Sequence, residues 1–167
     1  MFIDVRGPVM ANTAYVNNQL VAHDVAFTLP EITPMTADVQ AMGSMSLPIW
    51  GLFEDMESTI TKIGVDLGLA KLITPQPMTI EYRWVQSVTS ADGSTREEGC
   101  KAFLRQTPKK IPGIGGEVGS SLEGEVTGAV TRYQLFVGGQ ELFLLDRTAS
   151  IFRVNGVDYY SKIASLL

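Results

Sequence analysis

The sequence predicts a mainly β protein: a β-sandwich or barrel with one short helix and long hairpins or loops. Three observations predict it. Apolar residues recur at every second position through much of the chain, turn-forming pairs punctuate these runs, and only residues 65–73 carry helical spacing. At 167 residues, with no repeat and no linker between two apolar segments, the chain reads as a single domain over 1–167 that can build its own core.

The elements follow in order. Thr13 to Val16 is a short strand, Asn17-Asn18 a turn, and residues 20–29 the return strand, with Val21, Val25, Phe27 and Leu29 on one face. Pro30 and Pro34 end it. Residues 36–53 mix Gly43, Pro48 and Gly51 with Met42, Met45, Leu47, Ile49, Trp50 and Phe53, and read as a long loop too apolar to face water. Residues 54–63 alternate, placing Glu57, Thr59 and Thr61 on one face and Met56, Ser58 and Ile60 on the other.

Residues 65–73 put Val65, Leu69, Leu72 and Ile73 on one helical face, with Asp66 near the start and Pro75 beyond the end. Met78, Ile80, Tyr82, Trp84 and Val88 then mark a strand, which Asp92-Gly93 turns into the next. Residues 108–124, rich in Gly and polar side chains, read as a flexible loop. A long apolar hairpin turns at Gly138-Gly139, and a last one turns at Asn155-Gly156, running into Val157 and Tyr159. The chain then finishes on Ile163, Leu166 and Leu167, side chains that need a surface to cover.

Composition narrows the chemistry. A net charge of −5 argues against binding to a nucleic-acid duplex, which needs a clustered cationic surface. One cysteine, Cys100, excludes an intrachain disulfide and suits a reducing compartment, so synthesis in the cytoplasm is expected. The opening MFIDVRGPVM has neither the basic start nor the apolar run of a signal peptide, and no later apolar window is long enough to span a bilayer as a helix.

Catalytic constellations are missing. His23 is the single histidine and sits mid-strand beside Asp24, which favours a half-exposed strand residue over a Ser-His-Asp triad. Cys100 alternates with Ala102 and Leu104 as a small buried apolar residue would. The glycines at 113, 115, 116 and 119 lack the lysine of a phosphate-binding loop and the spacing of a dinucleotide fold. No metal-ligand pattern and no cofactor motif appears, so an enzyme is not expected. What remains is the apolar stretch around Trp50, which is either covered by its own domain or an assembly surface.

The order of these elements resembles the major tail tube protein of contractile-tailed bacteriophages and the related R-type pyocins. The residues that carry the resemblance are VAFTLPEIT (25–33), TRYQLFVGGQELFLLD (131–146) and FRVNGVDYYSKIASLL (152–167), and it runs nearly end to end. It implies a non-enzymatic virion component whose partner is itself, in sixfold rings stacked into a hollow tube. The other implied partners are the tail sheath, tape-measure, baseplate and tail-terminator proteins, with DNA sliding through the lumen without specific binding. Within that frame Met45, Leu47, Ile49, Trp50 and Phe53 are expected between rings, and Glu57, Thr59 and Thr61 on the lumen wall. Asn155, Gly156, Val157 and Tyr159 are expected to form a C-terminal closing element. Two alternatives remain: a tube like that of a type VI secretion system, and a non-assembling β-sandwich binding module or enzyme.

Overall fold

The computed structural model describes residues 3–167. Among the described residues there are twelve strands: β1 (Val5–Val16), β2 (Gln19–His23), β3 (Ala26–Thr28), β4 (Pro34–Gln40), β5 (Ser44–Phe53), β6 (Met56–Ile63), β7 (Met78–Thr89), β8 (Thr95–Pro108), β9 (Glu123–Val137), β10 (Gln140–Asp146), β11 (Ile151–Val154) and β12 (Val157–Asp158). Two short helices join them, α1 (Leu67–Ile73) and α2 (Ser161–Ala164). Ten strands form one antiparallel sheet in the order β12-β11-β10-β9-β8-β7-β1-β2, with β6 on the free edge of β9 and β3 on β6. No pairing joins β2 to β3, so the sheet folds over on itself as a sandwich and does not close as a barrel.

The two layers share strands. β9 pairs with β10 through residues 132–137 and with β6 through 123–130, so β10 and β6 lie end to end along one of its edges. A register shift against β8 at Arg105/Gln106 marks the crossing point. There the inward set on β9 changes parity, from Val126 and Val130 to Tyr133, as an inserted residue must make it do.

The core lies between the layers, where the alternation of the sequence is obeyed closely. Met78, Ile80 and Tyr82 of β7, Ala102 and Leu104 of β8, and Met56 and Ile60 of β6 are buried. Phe27 of β3 stacks on Tyr82, with ring centroids 4.7 Å apart, and so bridges from one layer to the other. Helix α1 plugs one end with Leu69 and Leu72. Asp66 caps it, its carboxylate accepting from the Leu69 N–H at 3.0 Å. The same carboxylate meets the buried Lys62 Nζ at 3.0 Å, while that ammonium donates to the Val21 carbonyl at 2.6 Å. One cation thus ties β6, β2 and α1 together.

Several readings of the sequence need correction. The first strand starts at Val5, not Thr13, and a second short helix, α2, follows the last hairpin. Residues 20–29 are not one strand: Asp24, at φ +49°, breaks them into β2 and β3, which pair with different layers. Residues 36–53 are not a loop but most of a separate two-stranded antiparallel ribbon, β4–β5. Gly43 and Pro48 suggested irregular chain, yet each fits a hairpin. Gly43 takes φ +132° in the tip beside Met42, and in a ribbon of two strands each strand keeps one unpaired edge, where Pro48 needs no N–H.

Candidate assembly surface

The β4–β5 ribbon is amphipathic by register. Met35 faces Ile49, Ala37 faces Leu47 and Val39 faces Met45, so six apolar residues share one face in three cross-strand pairs. Thr36 with Pro48, Asp38 with Ser46 and Gln40 with Ser44 make the other face polar. In a folded domain the apolar side would be covered. Here Met35, Val39, Met45, Leu47 and Ile49 keep 39–47% of their surface open to water. The sequence carries this pattern as Met45-Leu47-Ile49 alternating with Ser44-Ser46-Pro48, a period of two masked by the glycines and proline.

At its base the ribbon is held rigidly. Phe53 is buried and packs edge-on to Phe152 of β11 at 5.0 Å, as part of the core. Trp50 is 53% exposed, but one face of its ring stacks on Phe152 at 5.7 Å. Gly51 lies between, at φ +136°, where an added Cβ would stand 3.2 Å from Ile163 Cδ1 of α2. Met45, Leu47 and Ile49 therefore form the free surface, and Trp50 and Phe53 anchor it.

β6 presents Glu57, Thr59 and Thr61 outward and Met56, Ser58, Ile60 and Lys62 inward. Cross-strand partners Thr127 and Glu125 of β9 extend the outward face. It is less acidic than its sequence suggests, because Lys109 pairs with Glu57 and Lys110 with Glu125 at 3.2 Å. Behind it, the buried Ser58 hydroxyl donates to the Gln106 side-chain oxygen. Gln106 occupies the space beside Gly128, where a Cβ would come within 2.6 Å of it.

Asn155 (φ +48°) and Gly156 (φ +81°) form the turn between β11 and β12. Val157 and Tyr159 are about half exposed, with the Tyr159 ring 6.1 Å from Phe152. Helix α2 follows and lies against Gly51, so the C-terminal segment buttresses the base of the ribbon. On the outward side of β9–β11 an ion-pair network adds to this end of the sheet: Arg153 bonds Glu141 through two nitrogens at 2.6 and 3.0 Å, Gln134 donates to Glu141 at 2.6 Å, and Arg132 lies 3.6 Å from Asp146. The Arg153 hydrogen bonds hold the Glu141 carboxyl below the usual carboxylate range.

The residues with catalytic potential are dispersed. His23 is exposed at the end of β2, and Asp24 accepts from the Asn12 N–H at 3.4 Å. Cys100 is buried, and that burial pushes its thiol upward, away from the reactive thiolate. No group of three or more His, Cys, Asp or Glu side chains capable of holding a metal ion occurs among the described residues.

The chain matches no curated protein. In the solved structures it is similar to a chain of an extracellular contractile injection system, the PVC sheath-tube complex in its extended state. That similarity has 14% identity and a TM-score of 0.53, and covers 77% of this chain and 90% of that one. At this identity the likeness concerns the fold, and it is the fold of a component of a sheathed tube complex. The family model for phage tail tube protein FII matches residues 9–167, from within β1 to the last residue. A β-rich chain with an uncovered amphipathic ribbon, and that match along almost its whole length, belongs to the phage tail tube protein FII family.

Proposed function

We propose that this structural tail protein self-associates into sixfold rings that stack as the hollow inner tube of a contractile tail, and that the tube conducts DNA. The observation that carries the proposal is the apolar face of the β4–β5 ribbon, six residues in register of which the five large ones keep 39–47% of their surface open to water. Water-exposed apolar surface of this extent is stable in a polymer that covers it. Each contact is weak. If it contributes ~1–2 kcal/mol, well below full burial of several side chains at about 25 cal/mol per Å², six made at once hold a ring on a growing tube while single copies stay dispersed.

In this reading the ribbon, with Met45, Leu47 and Ile49 outermost, makes the ring-to-ring contact, and the outward face of β6, with Glu57, Thr59 and Thr61, lines the lumen. Partial neutralisation of that face by Lys109 and Lys110 supports passage of a polyanion: few net charges of either sign remain to hold phosphates or to repel them. A contractile sheath is the outer partner, supported by the sheath-tube complex that shares the fold. The tape-measure protein fills the lumen during growth, and baseplate and terminator proteins start and stop it.

Electron microscopy of the purified protein at high concentration, with the Val39→Ser, Leu47→Ser double variant beside it, tests the proposal. Wild type is expected to give hollow tubes of uniform width, and the double variant folded monomers or isolated rings. Tubes of normal length from the double variant would remove the ribbon from the ring-to-ring contact.

A further inference from the structure

We infer that the apolar face of the β4–β5 ribbon seats in a trough on the outward face of β1, β7, β8 and β9 of another copy of this chain, an inference that rests on the tube reading above. The trough is a product of register. Ala11, Val85 and Gly99 stand side by side on three adjacent strands. Two residues along, on the same face, the row is Thr13, Arg83, Lys101 and Phe136. Small side chains in one row and tall ones in the next leave a step, and Phe103, edge-on to Phe136 at 5.8 Å, extends its wall. The resulting trough holds about 590 Å³. Its apolar floor faces away from the core, where no element of the domain needs it.

Dimensions fit the ribbon. The apolar face spans residues 35–39 on β4, ~13 Å at about 3.3 Å per residue, and the trough spans three strand intervals, ~14 Å at about 4.8 Å each. A two-stranded ribbon laid across the sheet strands is an orthogonal β packing. Charge agrees as well. Arg83 is turned aside, 2.5 Å from Glu81 and over the Tyr15 ring at 4.4 Å. That leaves Lys101 at the rim, with no ion pair among the described residues. Asp38, on the opposite, polar face of the ribbon, is the one charged residue in 34–53, so the face that seats in the trough brings no charge to be buried.

The occupant is a second copy. Its own ribbon is fixed by Phe53 and Gly51 to β11 and α2, four strands from β7 in the sheet order, and its apolar face stays open. Ribbon and trough are different patches, so the contact is heterologous and propagates into rings or filaments. A footprint of roughly 13 by 10 Å is far below the ~800 Å² per partner of a stable pair, so two copies separate and only an array persists.

Gly99→Trp fills the trough from a position where an added Cβ meets nothing within 4 Å and φ is not in the left-handed region. It is expected to keep the wild-type circular dichroism and melting profile and to lower sedimentable polymer at least tenfold, whereas Gly99→Ala polymerises normally. In mixed polymers, Leu47→Cys and Val85→Cys copies are expected to cross-link to each other under oxidation and neither to itself. Normal polymer from Gly99→Trp, or tubes without the mixed cross-link, overturns the trough and leaves the tube reading standing. A wild-type protein that never polymerises overturns both.

Discussion

Gly128 and Gln106 show how much depends on single side chains here. Gln106 is buried, bonded to Ser58 and packed where a Cβ on Gly128 would stand. Gly128→Ala must displace this buried amide, so unfolding by denaturant is expected to show a loss of ~1–3 kcal/mol, as for overpacked core sites. Neither partner was readable beforehand, because a glycine in a strand carries no sign of what fills the space it leaves. Glu141 adds a dependence on pH. Its folded carboxyl titrates below its unfolded one, so its stabilisation is complete above about pH 4.5 and disappears as pH falls through the folded value. Glu141→Gln is therefore expected to be less stable than wild type at pH 7 and to lose less on going from pH 5 to 3, as measured by thermal melts.

At the scale of elements, most strands were legible and the ribbon was not. β7 turns Met78, Ile80, Tyr82 and Val88 inward at the spacing its alternation predicts, and Asn155-Gly156 turns where its residue types require. Burial on one face rewards that pattern. β4 and β5 escaped notice because Pro48 and Gly51 are breakers in a central strand and harmless in an edge ribbon. The break at Asp24 was also invisible, since its cause is tertiary: β2 and β3 serve different layers. Removing residues 161–167 takes Ile163 from Gly51 and α2 from the base of the ribbon. The truncated chain is expected to remain folded in its core but to exchange the amides of β4 and β5 faster in hydrogen-exchange mass spectrometry, and to polymerise less. Protection equal to wild type would show that Phe53 and Trp50 hold the ribbon unaided.

For the whole molecule, the buried core and the half-open ribbon are separate regions. β6 to β9 surround the buried residues, whereas β4–β5 gains nothing from the core beyond its base. Amides of β8 and β9 are expected to be the slowest to exchange in the monomer. Those of β4 and β5 are expected to exchange quickly there and to become protected on polymerisation, a change visible by comparing exchange before and after sedimentation. The geometry of the proposed tube is not legible in the chain, because it depends on how patches on separate copies meet, and a sequence of one copy encodes each patch without their angle.

β9 runs through both layers of the sandwich, pairing with β10 on one side of the register shift near Arg105 and with β6 on the other. The mechanical consequence is large. Two layers joined only by loops can slide under load, parting one loop at a time. Layers that share continuous strands can slide only by shearing many backbone hydrogen bonds at once, so each subunit resists distortion along those strands as a stiff block. In the proposed tube, such blocks resist buckling when the tube is driven forward, and the ribbons are the compliant part.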